Sequence, residues 1–143
     1  MEFDVALTDA PDAQATAAIE GGLARYNHEQ AGITDHRPLA VLVRHPETRE
    51  VVGGLLGRTS LGLLFIDLFF LPDDLRGRGL GSRLMREAEV EGRRRGCVAA
   101  VLYTISFQAP GFYERHGYQA FGTIPCHPPG TSRVFMQKTL AGG

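Results

Sequence analysis

The chain has 143 residues, of which 43% are hydrophobic and 22% charged, and its formal net charge is −1. That length suits one domain with a single sizeable core, so residues 1–143 are expected to form one domain. The near-neutral balance excludes an overall electrostatic pull toward nucleic acid or an anionic membrane, and no apolar run reaches the roughly 18 residues that span a bilayer.

In chain order, Met1 to Leu7 alternates weakly and predicts a first strand. Pro11 suits the start of a helix in which Ile19, Leu23 and Tyr26 recur at i, i+4 and i+7. Asn27 to Pro38 is polar and reads as irregular chain. Leu39 to Arg44 and Val51 to Arg58 predict strands on either side of the turn His45-Pro46-Glu47-Thr48-Arg49-Glu50. Leu63 to Leu71, LLFIDLFFL, has the unbroken apolar character of a buried strand, and Pro72-Asp73-Asp74 ends it. Next comes Arg76-Gly77-Arg78-Gly79-Leu80-Gly81-Ser82. A helix follows with Leu80, Leu84 and Ala88 on one face, and it stops at Arg93-Arg94-Arg95-Gly96. The three arginines read as a solvated helix end rather than a nucleic-acid patch.

Val98 to Ile105 predicts another strand, Phe107 to His116 a short helix, and Tyr118 to Thr123 and Ser132 to Lys138 two final strands. The order β-α-β-β-β-α-β-α-β-β combines antiparallel meanders with one strand–helix–strand crossover. It predicts an α/β fold whose mixed, mostly antiparallel central sheet carries helices on both faces.

Cys97 and Cys126 are too few for a disulfide scaffold, and neither has a metal-ligand partner at useful spacing, so no metal is expected. Cys97 opens an apolar run and reads as a buried thiol. The amino terminus lacks the basic-then-apolar pattern of a secretory signal, which makes the reducing cytoplasm the default compartment. Among the histidines, His45 sits in a turn, and His116 precedes Gly117 at a helix end, where a cation favours the dipole. His28, His36 and His127 fall in or beside loops and read as surface or capping residues.

The glycine-rich segment carries the clearest chemistry. Glycines that accept unusual backbone angles let consecutive N–H groups converge where a helix begins, and the helix dipole favours negative charge at the same point. Arg76 and Arg78 add positive charge beside it. Spacing removes two phosphate-binding motifs. The dinucleotide fingerprint needs G-x-G-x-x-G, and the P-loop needs Gly-Lys-Ser/Thr after a four-residue gap; neither is present. What remains is R-x-x-G-x-G, formed by Arg76, Gly79 and Gly81, directly after a strand ending Phe69-Phe70-Leu71-Pro72.

On these residues the chain resembles the GNAT superfamily of acyl-CoA-dependent N-acetyltransferases, specifically from about Val51 to Leu140 and loosely before that. Downstream, Phe112-Tyr113-Glu114-Arg115-His116-Gly117-Tyr118 is similar to a second pattern of the family. The resemblance implies acetyl-CoA as co-substrate, its pyrophosphate on the turn formed by Arg76, Gly77, Arg78, Gly79, Leu80, Gly81 and Ser82. It places the pantetheine arm along the main chain at Phe69, Phe70 and Leu71, where the N–H of Phe70 or Leu71 polarises the thioester carbonyl. The family's tyrosine falls on Tyr113, which would protonate the departing thiolate. A phenol with a pKa near 10 stays protonated at neutral pH and can serve as that donor. Where the family commonly has Asn this chain has Gln108, whose longer amide is expected to reach the pantetheine arm. The segments 106–110 and 127–133 are similar to a small bacterial subgroup of the family.

Asp67 is the one charged residue in the apolar strand, and a carboxylate there is costly unless bonded or facing a cavity. Many members of the family place an acidic residue on this strand to deprotonate the amine, so Asp67 is expected to act as base, directly or through water, or to anchor the amine. A structural aspartate bonded to neighbouring backbone is the alternative, and a bulge would decide its face. The reaction expected is acetyl transfer from acetyl-CoA to a primary amine by direct attack; a non-catalytic acyl-CoA sensor on the same fold is the other reading. Glu29, Asp35 and Asp67 point to a cationic amine, on a small molecule or a protein. No nucleic-acid or membrane partner is expected, and a homodimer is left open.

Overall fold

The computed structural model describes residues 1–141, which divide into a compact unit Met1–Thr34 and a second unit beginning at Asp35. The first unit holds helix α1 (Ala13–Ala31). Its N-cap is Asp12, whose Oδ1 accepts from the Ala15 N–H at 2.7 Å, and its stop is Gly32, left-handed at φ 79° with its N–H on the His28 carbonyl. The helix therefore runs through Asn27 and His28, where composition predicted irregular chain, because the stop signal comes only at Gly32. No strand forms over Met1–Leu7. Its alternating residues would be held extended only by a neighbouring strand, and none pairs with them.

The second unit contains β1 (Arg37–Arg44), β2 (Val51–Ser60), β3 (Leu63–Phe70), α2 (Leu80–Arg94), β4 (Ala99–Ile105), α3 (Pro110–Arg115), β5 (Gln119–Pro125) and β6 (Ser132–Thr139). The strands form one six-stranded sheet in the order β1-β2-β3-β4-β6-β5. Only β3 and β4 run parallel, as the α2 crossover between them requires; the other neighbouring pairs are antiparallel. The mixed, mostly antiparallel sheet predicted from the sequence is thus present.

Period-two burial decides which face meets the helices. Leu64 and Ile66 of β3 and Ala100 and Leu102 of β4 are buried with Leu84, Met85 and Ala88 of α2. Each fully buried leucine in this layer contributes about 1.5–3 kcal/mol. The end of α2 is tied down by Arg95, which donates to the carbonyls of Arg37 (3.3 Å) and Pro38 (3.0 Å) and to the Thr59 hydroxyl (3.1 Å). With its side chain only 11% exposed, Arg95 is a packed strut rather than part of a solvated run.

A β-bulge interrupts β3. Leu56 faces Leu68 but Gly57 faces Ile66, so Asp67 is the extra residue. Gly57 is required opposite it, since a Cβ there would lie 2.2 Å from the Phe65 carbonyl oxygen. The bulge resets alternation: Asp67 and Leu68 are both exposed, while Phe69 packs against the core and Leu71 is buried.

Candidate functional site

The sheet opens at its centre. β3 and β4 pair only from Leu63 and Ala99 to Ile66 and Leu102, whereas β3 stays paired to β2 as far as Phe70, and β4 to β6 as far as Ile105. The two parallel strands therefore separate at their carboxyl ends. Two cavities flank that gap, and Phe69, Gln108 and Tyr113 line both.

The larger cavity, about 640 Å³, is roofed by the turn that follows β3. Gly79 is the N-cap of α2 at φ 77°, and Gly77 precedes it at φ 75°. An L-residue costs about 1–2 kcal/mol in this region, so glycine lets the chain enter the helix here. Among the described residues, no backbone N–H from Gly77 to Ser82 donates to a protein acceptor; the first that does is Arg83, to the Gly79 carbonyl at 3.1 Å. Six free donors in succession at the positive end of a 15-residue helix form a concavity for an anion. Arg76 braces the turn: its Nε donates to the Leu71 carbonyl at 3.0 Å, and its guanidinium pairs with Asp73 at 2.9 Å.

Phe69, Phe70, Leu71, Arg76, Gly77, Gly79, Gly81, Ser82 and Gln108 all line this cavity. Arg78 and Leu80 are not among its lining residues, and Arg78 is exposed to solvent. The Ser82 hydroxyl is already paired with His116 Nε2 at 3.0 Å. His116 also packs its ring on Phe112, 4.7 Å between centroids, and burial lowers its pKa. The histidine expected to stand as a helix-end cation instead ties α3 to the first turn of α2, in surroundings that favour its neutral form.

Tyr113, on α3, is held by ring contacts to Phe112 (5.2 Å), Tyr118 (6.1 Å) and Phe69 (6.2 Å). Burial pushes its phenol up to about 12. Its hydroxyl has no hydrogen-bond partner among the described residues, yet it is not sealed from the cavities that the ring lines. Tyr118, by contrast, is fully committed as a core residue: its hydroxyl donates to Glu89 at 2.9 Å, and Lys138 donates to the same carboxylate at 2.7 Å. Gln108 turns its Oε1 inward to accept from the Ile105 N–H (3.0 Å) and the Thr104 hydroxyl (3.2 Å). The backbone donor fixes that orientation and leaves the amide NH₂ available as a donor.

The smaller cavity, about 250 Å³, lies between the strand ends and includes Asp67, Tyr103 and Arg133. Asp67 is not solitary: both of its oxygens accept from Nη1 of Arg58, at 2.7 and 2.8 Å. Asp35 is also engaged, accepting from the Leu61 N–H at 2.9 Å. Neither is the free carboxylate on which a cationic acceptor was expected to dock. Arg133, Arg58 and the role of His116 were not singled out from the sequence. The β2–β3 hairpin about Leu61-Gly62 sets Arg58 against Phe65, and its pairing with Asp67 comes through the bulge. A lone arginine in a strand gives no signal of its own. Among the described residues no group of three His, Cys, Asp or Glu is placed to hold a metal ion, and no helix is long and apolar enough to cross a membrane.

A model of the acetyltransferase (GNAT) family matches residues 7–118. An acetyltransferase of Agrobacterium fabrum is 36% identical over 132 residues, covering 92% of this chain and 96% of that one. A blasticidin-S acetyltransferase of Streptomyces morookaense is 40% identical over 111 residues, covering 76% of this chain and 82% of its own. A crystal structure from Agrobacterium tumefaciens, of a protein assigned to the acetyltransferases, superposes with a TM-score of 0.85 at 35% identity, covering 96% and 99% of the two chains.

Proposed function

Because the chain belongs to the GNAT acetyltransferase family, we propose that it moves the acetyl group of acetyl-CoA to a primary amine by direct attack on the thioester. The observation that carries this reading is the position of Tyr113, whose buried ring lines both cavities where β3 and β4 part. Acetyl-CoA enters the larger cavity and the amine the smaller one, and the two reactants meet at Tyr113.

The free N–H groups from Gly77 to Ser82 receive the pyrophosphate, with Arg76 and Arg78 adding positive charge. The main chain from Phe69 to Leu71 and the Gln108 amide hold the pantetheine arm, and the N–H of Phe70 or Leu71 donates to the thioester oxygen as negative charge develops there. The amine loses its proton to Asp67, directly or through water, while Arg58 fixes the carboxylate in place. A C–N bond forms, the C–S bond breaks, and the Tyr113 hydroxyl gives its proton to the thiolate. Burial keeps that phenol protonated at any pH near neutral.

A small-molecule acceptor is favoured over a protein side chain. The relative named for blasticidin S supports that choice, as does a second cavity of only about 250 Å³. The test is thiol release from acetyl-CoA across a panel of amines, with the product identified by mass. Amine-stimulated release with one acetyl group gained by the amine supports the proposal. Tight acetyl-CoA binding with no amine stimulating release overturns it and leaves a sensor.

A further inference from the structure

The smaller cavity has an unbalanced charge. Asp67 and Arg133 are the two charged residues that line it. Asp67 is neutralised by Arg58, which holds both carboxylate oxygens and stacks its guanidinium 4.3 Å from the Phe65 ring centroid. Arg133 has no such partner: among the described residues its guanidinium forms no ion pair and no hydrogen bond. It lies over the Tyr103 ring, 5.7 Å from the centroid. Its position is fixed by the sheet, since it pairs with Ile105 on one side and Ile124 on the other. Arg133 is a half-buried residue, and its guanidinium, with five donors and no acceptor beside an aromatic face, is matched by a planar anion.

We propose that the acceptor amine also carries a carboxylate, that Arg133 receives this group, and that Arg133 thereby selects the substrate. The inference rests on the reading of the smaller cavity as the acceptor site. It reverses the charge preference suggested by Asp35 and Asp67 in the sequence, because both carboxylates are engaged within the protein. Arg133 does not line the larger cavity, so its role is separate from acetyl-CoA binding.

The probes are matched pairs that differ only in the acid group: phenylalanine and phenylalaninamide, γ-aminobutyrate and γ-aminobutyramide. Binding is measured by calorimetry on the protein loaded with CoA, and turnover by thiol release from acetyl-CoA. For at least one pair the acid should bind and react about tenfold or more better than its amide, the scale of a charge-assisted hydrogen-bonded pair. Arg133→Gln should erase that ratio through KM for the amine, Arg133→Lys should restore part of it, and KM for acetyl-CoA should hold in both variants, which also reports that they are folded. Amides equal to acids in the wild type, an unchanged ratio in Arg133→Gln, or no acid binding at all would overturn the proposal. Arg133-dependent binding without thiol release would uphold it and refute the transfer reaction instead.

Discussion

Replacing Tyr113 with phenylalanine separates chemistry from packing more cleanly than any other change in this site. The ring contacts to Phe69, Phe112 and Tyr118 involve carbon atoms that the variant keeps. The hydroxyl that is lost has no partner among the described residues, so no buried donor or acceptor is stranded. Stability should therefore change by no more than about 0.5 kcal/mol, the usual range for a substitution outside the damaging classes. Loss of a positioned proton donor removes about 10²- to 10⁴-fold in rate, which is roughly 3–5 kcal/mol of transition-state stabilisation. The assay is thiol release under saturating acetyl-CoA and amine, with urea unfolding and acetyl-CoA affinity measured on the same preparation. We expect kcat to fall by at least about a hundredfold, with acetyl-CoA affinity within about twofold of wild type. A kcat within twofold of wild type would refute the assignment of Tyr113 as the acid. So would a fall in kcat that tracks an equal loss of stability.

Gly79→Ala should fold, because no atom lies within 4 Å of the added Cβ, but the φ of 77° should cost about 1 kcal/mol. Its Cβ stands beside the free N–H groups, so acetyl-CoA affinity measured by calorimetry should drop about tenfold or more, and unchanged affinity would contradict the seat given to the pyrophosphate. Alkaline stability supplies an independent check on Tyr113, whose pKa is raised by burial from 10.0 to about 12. The folded chain keeps the phenol proton longer than the unfolded chain, so this stabilisation is complete below about pH 10 and lost as pH rises through about 12. Between pH 9 and 11, urea unfolding should show wild type losing about 1.4 kcal/mol relative to Tyr113→Phe. Glu89→Gln leaves the Lys138 ammonium and the Tyr118 hydroxyl sharing a neutral acceptor, and thermal or urea unfolding should register about 2 kcal/mol of destabilisation.

What could be read in the sequence was set by local rules. The glycine turn, the strand before it and the helix after it form one continuous stretch, Leu63–Arg94, and their positions were predicted closely. The short pattern next to Gly117 that singled out Tyr113 is local in the same way, and the structure sets that residue at both cavities. The strand expected at Met1–Leu7 failed because weak alternation does not supply a pairing partner, and α1 ran past Asn27 because its stop was the glycine at position 32. Side-chain pairings across the sheet were not legible. Arg58 with Asp67 joins residues on neighbouring strands through a bulge, and Ser82 with His116 joins two helices far apart in sequence. Such contacts depend on three-dimensional register, and single-residue chemistry gave Asp67 and His116 surroundings that their partners change.

In the proposed reaction an acetyl group passes straight from acetyl-CoA to an amine nitrogen, without resting on the protein. A single-turnover experiment with isotope-labelled acetyl-CoA, quenched at successive times, tests it most directly. Direct transfer requires that label leaves acetyl-CoA only when an amine is present and appears on that nitrogen at the same rate, with none accumulating on the chain. Label appearing first on a protein side chain, or remaining on acetyl-CoA whatever amine is supplied, would contradict it.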